Sequence, residues 1–128
     1  MIDARGCPCG SGQPYDGCCG PLHRGERQAL TAESLMRSRY AAFAVRDGEY
    51  LWRTWHPRNR PPAVILDPDR EWVALRITDV VDGTADDAAG IVEFTARFRQ
   101  ITDGATGEQH ERSTFARRAG RWFYVDSL

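Results

Sequence analysis

The chain has 128 residues, the size of one typical domain, and its 41% hydrophobic and 27% charged residues are those of a folded globular protein. A net charge of −1 excludes the strongly basic balance of a dedicated nucleic-acid binder, so we predict no dedicated DNA binding. All 17 basic residues are arginine, which excludes a lysine Schiff base or a lysine general base.

The N-terminal sequence MIDARG has no apolar run of the length that a signal peptide or a membrane span requires. We therefore expect a cytoplasmic protein without a membrane span. In a reducing compartment, clustered cysteines bind metal more often than they form structural disulfides. The compartment thus favours a metal site for the cysteines of this chain.

All four cysteines lie within residues 7–20, in the stretch CPCGSGQPYDGCCG. Cys7 and Cys9 form one pair, Cys18 and Cys19 form another, and the glycines between them allow a tight loop. Four thiolates can surround one tetrahedral ion, for which zinc is the default and iron the main competitor. The spacing therefore predicts a closed metal site with one ion per chain, and zinc as the first candidate.

Two alternatives to a metal site remain open from the spacing. A disulfide arrangement would have to join the pairs across the loop, because a bridge between the adjacent Cys18 and Cys19 requires strained geometry. A redox centre would more usually have a Cys-x-x-Cys motif at a helix N-terminus, and the sequence lacks one. His23 either replaces Cys19 as a ligand or is a solvated loop residue.

After this loop, the sequence predicts two helices. Thr31 is expected to cap a helix that runs to Val45, because apolar residues recur there with helical spacing. Asp47 is expected to cap a second helix over residues 48–55, which Pro57 ends.

Strands are predicted from residue 71 onward, because apolar and polar residues begin to alternate there. The first strand is expected to place Val73, Leu75 and Ile77 on one face. The second is expected to bury Val92, Phe94, Ala96 and Phe98. The segments HERSTFARR and RWFYVDSL supply two more strands, and residues 63–66 form a short strand or a helical turn. The sequence therefore predicts an α+β domain with helices on one face of an antiparallel sheet.

The cysteine stretch resembles the SEC-C motif, the zinc-binding element named for the C-terminal tail of the SecA translocase ATPase. The segments LMRSRYAAFAVRDGEYLWRTWHP and HERSTFARRAGRWFYVD resemble the YchJ-like family. These resemblances imply a SEC-C element over residues 1–25 and a nuclear-transport-factor-2-like cone over residues 26–128, with two or three helices packed on a curved antiparallel sheet. They also imply that the four cysteines are the metal ligands.

The resemblance to the SecA tail implies contact with a chaperone or the ribosome. We therefore expect a zinc-binding accessory protein whose N-terminal element contacts a protein or ribosome-associated partner. The loop between the cysteine pairs supplies the candidate contact residues Gln13, Tyr15 and Asp16.

A pocket inside the cone is the second hypothesis, because folds of this type often enclose one. It would bind a small molecule or hold an active site. The candidate lining residues are Arg39, Tyr40, His56, Arg112 and Asp126. In this hypothesis His56 is a general base and Arg112 grips an anion. In the structural alternative His56 caps the second helix and packs beside Trp52 and Trp55, and Arg112 forms a buried ion pair inside the cone. No catalytic residue is assigned.

Overall fold

The structure is a computed structural model that describes residues 6–128. Most of the MIDARG stretch, on which the expected cytoplasmic location rests, lies outside the described residues. The helices are α1 (Cys19–His23), α2 (Ala32–Val45) and α3 (Gly48–Arg53). The strands are β1 (Arg70–Asp82), β2 (Ala89–Gln100), β3 (Thr106–Arg118) and β4 (Arg121–Ser127). The four strands form one antiparallel meander in the order β1-β2-β3-β4, so the predicted α+β class is confirmed.

The helix α2 begins where the sequence predicts it. The Thr31 hydroxyl accepts a hydrogen bond from the backbone N–H of Ser34 at 3.0 Å, which satisfies one of the free donors at the helix start. The helix ends at Val45, as predicted, and the next residue, Arg46, takes the left-handed conformation with φ 62°. Its apolar side, with Leu35 and Tyr40 both buried, packs on the sheet and forms the main core.

The helix α3 starts as predicted but ends early. The Asp47 carboxylate accepts a hydrogen bond from the backbone N–H of Tyr50 at 3.0 Å, as a helix cap does. The prediction of a helix that reaches Trp55 is wrong, because the helix ends at Arg53 and Trp55 forms a parallel bridge with Tyr124 of β4. This pairing draws the chain out of the helix and onto the sheet.

The strand β1 is less regular than its sequence pattern. A register shift between Trp72 and Ala74 marks a β-bulge, and Val73 is 51% exposed. The predicted apolar face is therefore wrong at Val73, and Trp72 packs against the core in its place. Leu75 and Ile77 pack against the core as predicted.

Residues 63–66 form neither the strand nor the helical turn that the sequence allows. Prolines flank this run on both sides, and they cannot donate the backbone hydrogen bonds that either element needs. Val64 and Leu66 instead pack against the buried Leu51 of α3, while Ile65 is 91% exposed. The run therefore serves as a cover over the end of α3.

The inner face of β2 carries Val92, Phe94 and Ala96, all buried as predicted, whereas the expected burial of Phe98 is wrong, because this residue is only half-buried near the end of the strand. The start of α2 meets the β1–β2 hairpin, where the backbone N–H of Ala32 donates to the carbonyl of Gly83 at 2.9 Å. Within the described part of the chain, no helix is long and apolar enough to cross a bilayer.

Candidate metal centre and interior cavity

The four cysteine sulfurs converge on one point. All four Sγ atoms lie within 4.8 Å of one another. The Sγ atoms of Cys9 and Cys18 are 3.6 Å apart, and those of Cys18 and Cys19 are 3.9 Å apart. In a tetrahedral site with Zn–S bonds of about 2.3 Å, the sulfurs are about 3.8 Å apart. The donor set and its spacing therefore fit one tetrahedral ion, and the four thiols are free of disulfides.

Hydrogen bonds among the thiols oppose the loss of all four protons. They raise the pKa of Cys19, whose sulfur lies close to those of Cys7 and Cys9, and burial raises it further. The same hydrogen bonds lower the pKa of Cys9. For Cys7, the contact with Cys19 lowers the pKa, but the contact with Cys9 and burial outweigh it and raise the pKa to about 11. Four thiolates this close together need a cation among them.

The loop between the cysteine pairs is shaped by its backbone. The N–H of Cys7 donates to the carbonyl of Gln13 at 2.7 Å, which closes the loop. Gly10 and Gly12 both have φ +82°, a conformation that side chains rarely adopt. This sequence can therefore fold back tightly enough to bring the first cysteine pair to the second.

His23 joins the cysteine element to α2. It is 6% exposed, its Nε2 lies 2.8 Å from the carbonyl of Ser38, and its Nδ1 lies 2.6 Å from the hydroxyl of Tyr15. A carbonyl only accepts, so Nε2 donates to it, and Nδ1 of the neutral ring accepts from Tyr15. The expectation of a solvated or ligating His23 is wrong, because both ring nitrogens are used in this clamp.

Burial lowers the pKa of His23 below its ordinary value of about 6.5. The unfolded chain therefore takes up this proton more readily, so the stability that the neutral ring contributes is present above pH 6.5 and is lost as the pH falls below it. We expect an NMR titration of the zinc-loaded protein to give a His23 pKa below 6.5, with the signal assigned by comparison with His23→Gln. A pKa at or above 6.5 would contradict the buried clamp.

The three candidate contact residues differ in their surroundings. Gln13 and Asp16 are exposed, and Asp16 forms an ion pair with Arg24 at 3.2 Å. Tyr15 is half-buried, and its hydroxyl is hydrogen-bonded to Nδ1 of His23. Gln13 and Asp16 are thus accessible side chains beside the cysteines, whereas Tyr15 has a structural contact.

A cavity of about 320 Å³ lies between α2, the connector before β1 and the inner face of the sheet. Two of the predicted pocket residues, Arg39 and Tyr40, line it. Arg39 is 5% exposed, and its Nη1 donates to the carbonyl of Leu51 at 2.8 Å and to the hydroxyl of Thr54 at 2.7 Å. Burial lowers the pKa of Arg39 to about 10, so the guanidinium remains charged at neutral pH.

The other three predicted pocket residues do not line this cavity. Arg112 lies on the opposite face of β3, because Ser113 takes the inner face, and it forms an ion pair with Glu93 at 2.7 Å. The His56 ring packs against Phe123 with 6.0 Å between ring centroids. Asp126 is exposed near the C-terminus. Arg112 thus forms an ion pair, but on the outer face and partly exposed, so the expectation of a buried pair inside the cone is wrong. His56 neither caps α3, whose C-terminal cap is Thr54, nor lies within the cavity as a base.

Sequence reasoning missed most of the residues that line the cavity, among them Trp55, Arg70 and Ser113. Each of these three has a buried polar side-chain atom without a hydrogen-bond partner in the described part of the chain. The alternating pattern of β3 could have indicated Ser113, because this residue lies on the same strand face as the buried Phe115. The pattern gave no such indication for Trp55 or Arg70, because their positions depend on tertiary contacts.

The helices on a curved four-stranded sheet, together with the N-terminal cysteine cluster, define a nuclear-transport-factor-2-like domain that carries a SEC-C-type element. Residues 31–127 match the family described as "YchJ, middle NTF2-like domain". The chain belongs to this YchJ-like family, as the resemblance implies.

Relatives match along nearly the whole chain. A UPF0225 protein of Streptomyces coelicolor is 49% identical over 120 residues, which cover 94% of this chain and 92% of the relative. A UPF0225 protein of Deinococcus radiodurans is 46% identical over 121 residues, which cover 94% and 87% respectively.

Two solved structures share the fold, and both are described as SEC-C motif containing proteins. The one from Rhodopseudomonas palustris has a TM-score of 0.81 at 38% identity, over 95% of this chain and 96% of that chain. The one from Psychrobacter arcticus has a TM-score of 0.78 at 27% identity, over 98% and 82% respectively. The family and the cysteine cluster together fit a metal-binding element.

Proposed function

We propose that this protein is a cytoplasmic accessory protein that binds one Zn²⁺ through Cys7, Cys9, Cys18 and Cys19. In this proposal the metal-ordered N-terminal element contacts a protein or ribosome-associated partner. The observation that carries the proposal is the convergence of the four sulfurs at distances that fit a tetrahedral ion.

The donor set favours a structural role for the ion. Four protein thiolates complete the coordination, so no position remains for a substrate or an activated water. Neighbouring groups support the ligands, since the hydroxyl of Ser11 lies 3.1 Å from Sγ of Cys18 and Arg37 donates to the carbonyl of Cys9 at 2.9 Å. Iron accepts the same ligands, and elemental analysis with an absorption spectrum separates it from colourless zinc.

The proposed element over residues 1–25 and the proposed domain over residues 26–128 are joined by a buried contact. Cys7, Cys9 and Cys19 pack on Ala41 of α2. Because one side of the element is covered in this way, partner contact is left to the opposite, exposed side. Gln13 and Asp16 are exposed, and in sequence they lie between the two cysteine pairs without a ligating role.

We expect the double variant Gln13→Ala/Asp16→Ala to keep its zinc but lose the proposed partner in affinity capture from native lysate. Cys18→Ser should lose both. The matched control is Arg97→Ala/Glu108→Ala, an exposed pair opposite each other on β2 and β3, which should keep both. Identical partners for all three variants and the intact chain would refute the proposed role of the element.

A further inference from the structure

We propose that the cavity under α2 binds a small organic anion with a flat apolar body, of the chemical class of an aromatic carboxylate. The residues of this site are separate from the cysteine cluster, so the inference stands apart from the proposed zinc-dependent function. It rests on the walls of the cavity, its charge and its unpartnered hydrogen-bond donors.

The walls of the cavity suit a flat apolar group. Its volume of about 320 Å³ falls in the range of small-molecule sites. Six aromatic side chains line it, namely Tyr40, Phe43, Trp55, Trp72, Phe94 and Tyr124. Aromatic side chains offer flat faces on which a ring can stack.

The charge of the cavity favours an anion. Arg39 has no carboxylate within ion-pair distance among residues 6–128, although it is almost fully buried. Its Nη1 is satisfied by Leu51 and Thr54, but its Nε and Nη2 have no acceptor in the described part of the chain. Its guanidinium lies over the rings of Tyr124 and Trp55, with Cζ 4.7 and 5.6 Å from the ring centroids, but no carboxylate of the described residues neutralises it, so an anionic ligand would supply the missing countercharge.

The buried polar atoms without partners point in the same direction. Nε1 of Trp55 and Nε of Arg70 are donors only, and the hydroxyl of Ser113 can donate as well. All three residues line the cavity, and Ser113 is 1% exposed. These atoms have almost no surface open to the cavity, so a ligand would reach them only after a small rotation of the side chains, and a ligand that does so must be rich in hydrogen-bond acceptors, as a carboxylate is.

The acidic residues of the cavity do not cancel this charge. Glu111 accepts a hydrogen bond from the side-chain amide of Gln109 at 3.0 Å, and Asp67 accepts one from the backbone N–H of Asp69 at 2.9 Å. Three arginines line the cavity against these two acids, which leaves a positive balance.

The cavity is accessible from the connector before β1. Ile65 lines the cavity and is 91% exposed, so it stands at the mouth, where the interior meets solvent. A ligand can therefore enter past this segment without disruption of the sheet.

The test compares two probes of matched shape, naphthalene-2-carboxylate and its neutral analogue naphthalene-2-carboxamide. Each is titrated into the zinc-loaded full chain and followed by two-dimensional ¹H–¹⁵N NMR. We expect the carboxylate to bind about tenfold more tightly than the amide, which is the size of effect that one hydrogen-bonded charge supplies. We also expect it to shift the indole N–H signal of Trp55, assigned with Trp55→Phe.

Two variants and a control sharpen the test. Arg39→Met should remove the preference for the carboxylate, and Ser113→Ala should weaken its binding several-fold. Arg112→Met, on the outer face, should leave both affinities unchanged. If Arg39→Met fails to fold, the proposal is tested by the ratio of the affinities of the intact chain for the two probes and by the effect of Ser113→Ala on carboxylate binding. Equal affinities for the two probes, no saturable binding, or an unmoved Trp55 signal would overturn the proposal.

Discussion

Cys18→Ser is expected to lower the affinity for zinc by more than about 100-fold. Loss of a residue that only hydrogen-bonds to a metal ligand already lowers metal affinity by about 10- to 100-fold, and Cys18 is itself a ligand in this proposal. Cys18 is the best of the four cysteines to change, since it is half-buried and the other three are buried. Its substitution removes a ligand with the least disturbance of packing. Competition with a chromophoric chelator measures the change.

The order of the N-terminal element should be lost together with the metal. Its cysteines form a small buried cluster against Ala41, so without an ion only a few apolar contacts would hold it. Hydrogen exchange of the Cys18 and Cys19 amides should then accelerate, while that of the sheet stays slow. Gln13→Ala is the control that should change neither quantity, and a Cys18→Ser chain with intact zinc affinity would rule out the four-thiolate site.

Gly90→Ala is expected to destabilise the domain by roughly 1–3 kcal/mol, the typical cost of overpacking a tight contact. A Cβ at Gly90 would lie 2.5 Å from Cα of Gly83 and 3.2 Å from Cβ of Ala32. Because the nearest atom belongs to the backbone, no side-chain rotation can relieve the clash. The β1–β2 hairpin and the start of α2 would have to separate.

Gly48→Ala provides the matched control for this substitution. A Cβ at Gly48 would meet only the carbonyl oxygen of Val64, at 3.9 Å, and alanine favours the helix α3 that begins there. Its stability should therefore be unchanged or slightly higher. Urea unfolding of the zinc-loaded proteins compares the two variants, and equal midpoints for Gly90→Ala and the unchanged chain would contradict the close packing.

Features that depend on neighbouring residues could be predicted from the sequence. The caps at Thr31 and Asp47 are local hydrogen bonds within one turn, so their residue types and positions sufficed. The cysteine cluster was likewise predictable, because its ligands come from one short loop. The α+β class followed from the change in hydrophobic period.

Features that depend on distant residues could not be predicted in this way. The bulge at Val73 arises from pairing with β2, and a strict alternation cannot reveal an extra residue. The clamp by His23 requires the carbonyl of Ser38, which only the docking of α1 on α2 supplies. Of the predicted pocket residues, Arg39 lines the cavity and Arg112 lies on the outer face, because alternation separates the two faces of β3 without saying which one is covered.

The irregularity of β1 has a consequence for solubility. This strand forms one edge of the sheet, where unpaired backbone groups could recruit a strand from another molecule. Register shifts at Val73 and again between Ile77 and Asp79 break the strand into short stretches, and exposed charged side chains such as Arg76 lie between them. An intruding strand would therefore find no long, regular row of hydrogen-bonding groups, and the same bulge that misled the face prediction protects the sheet against aggregation at its edge.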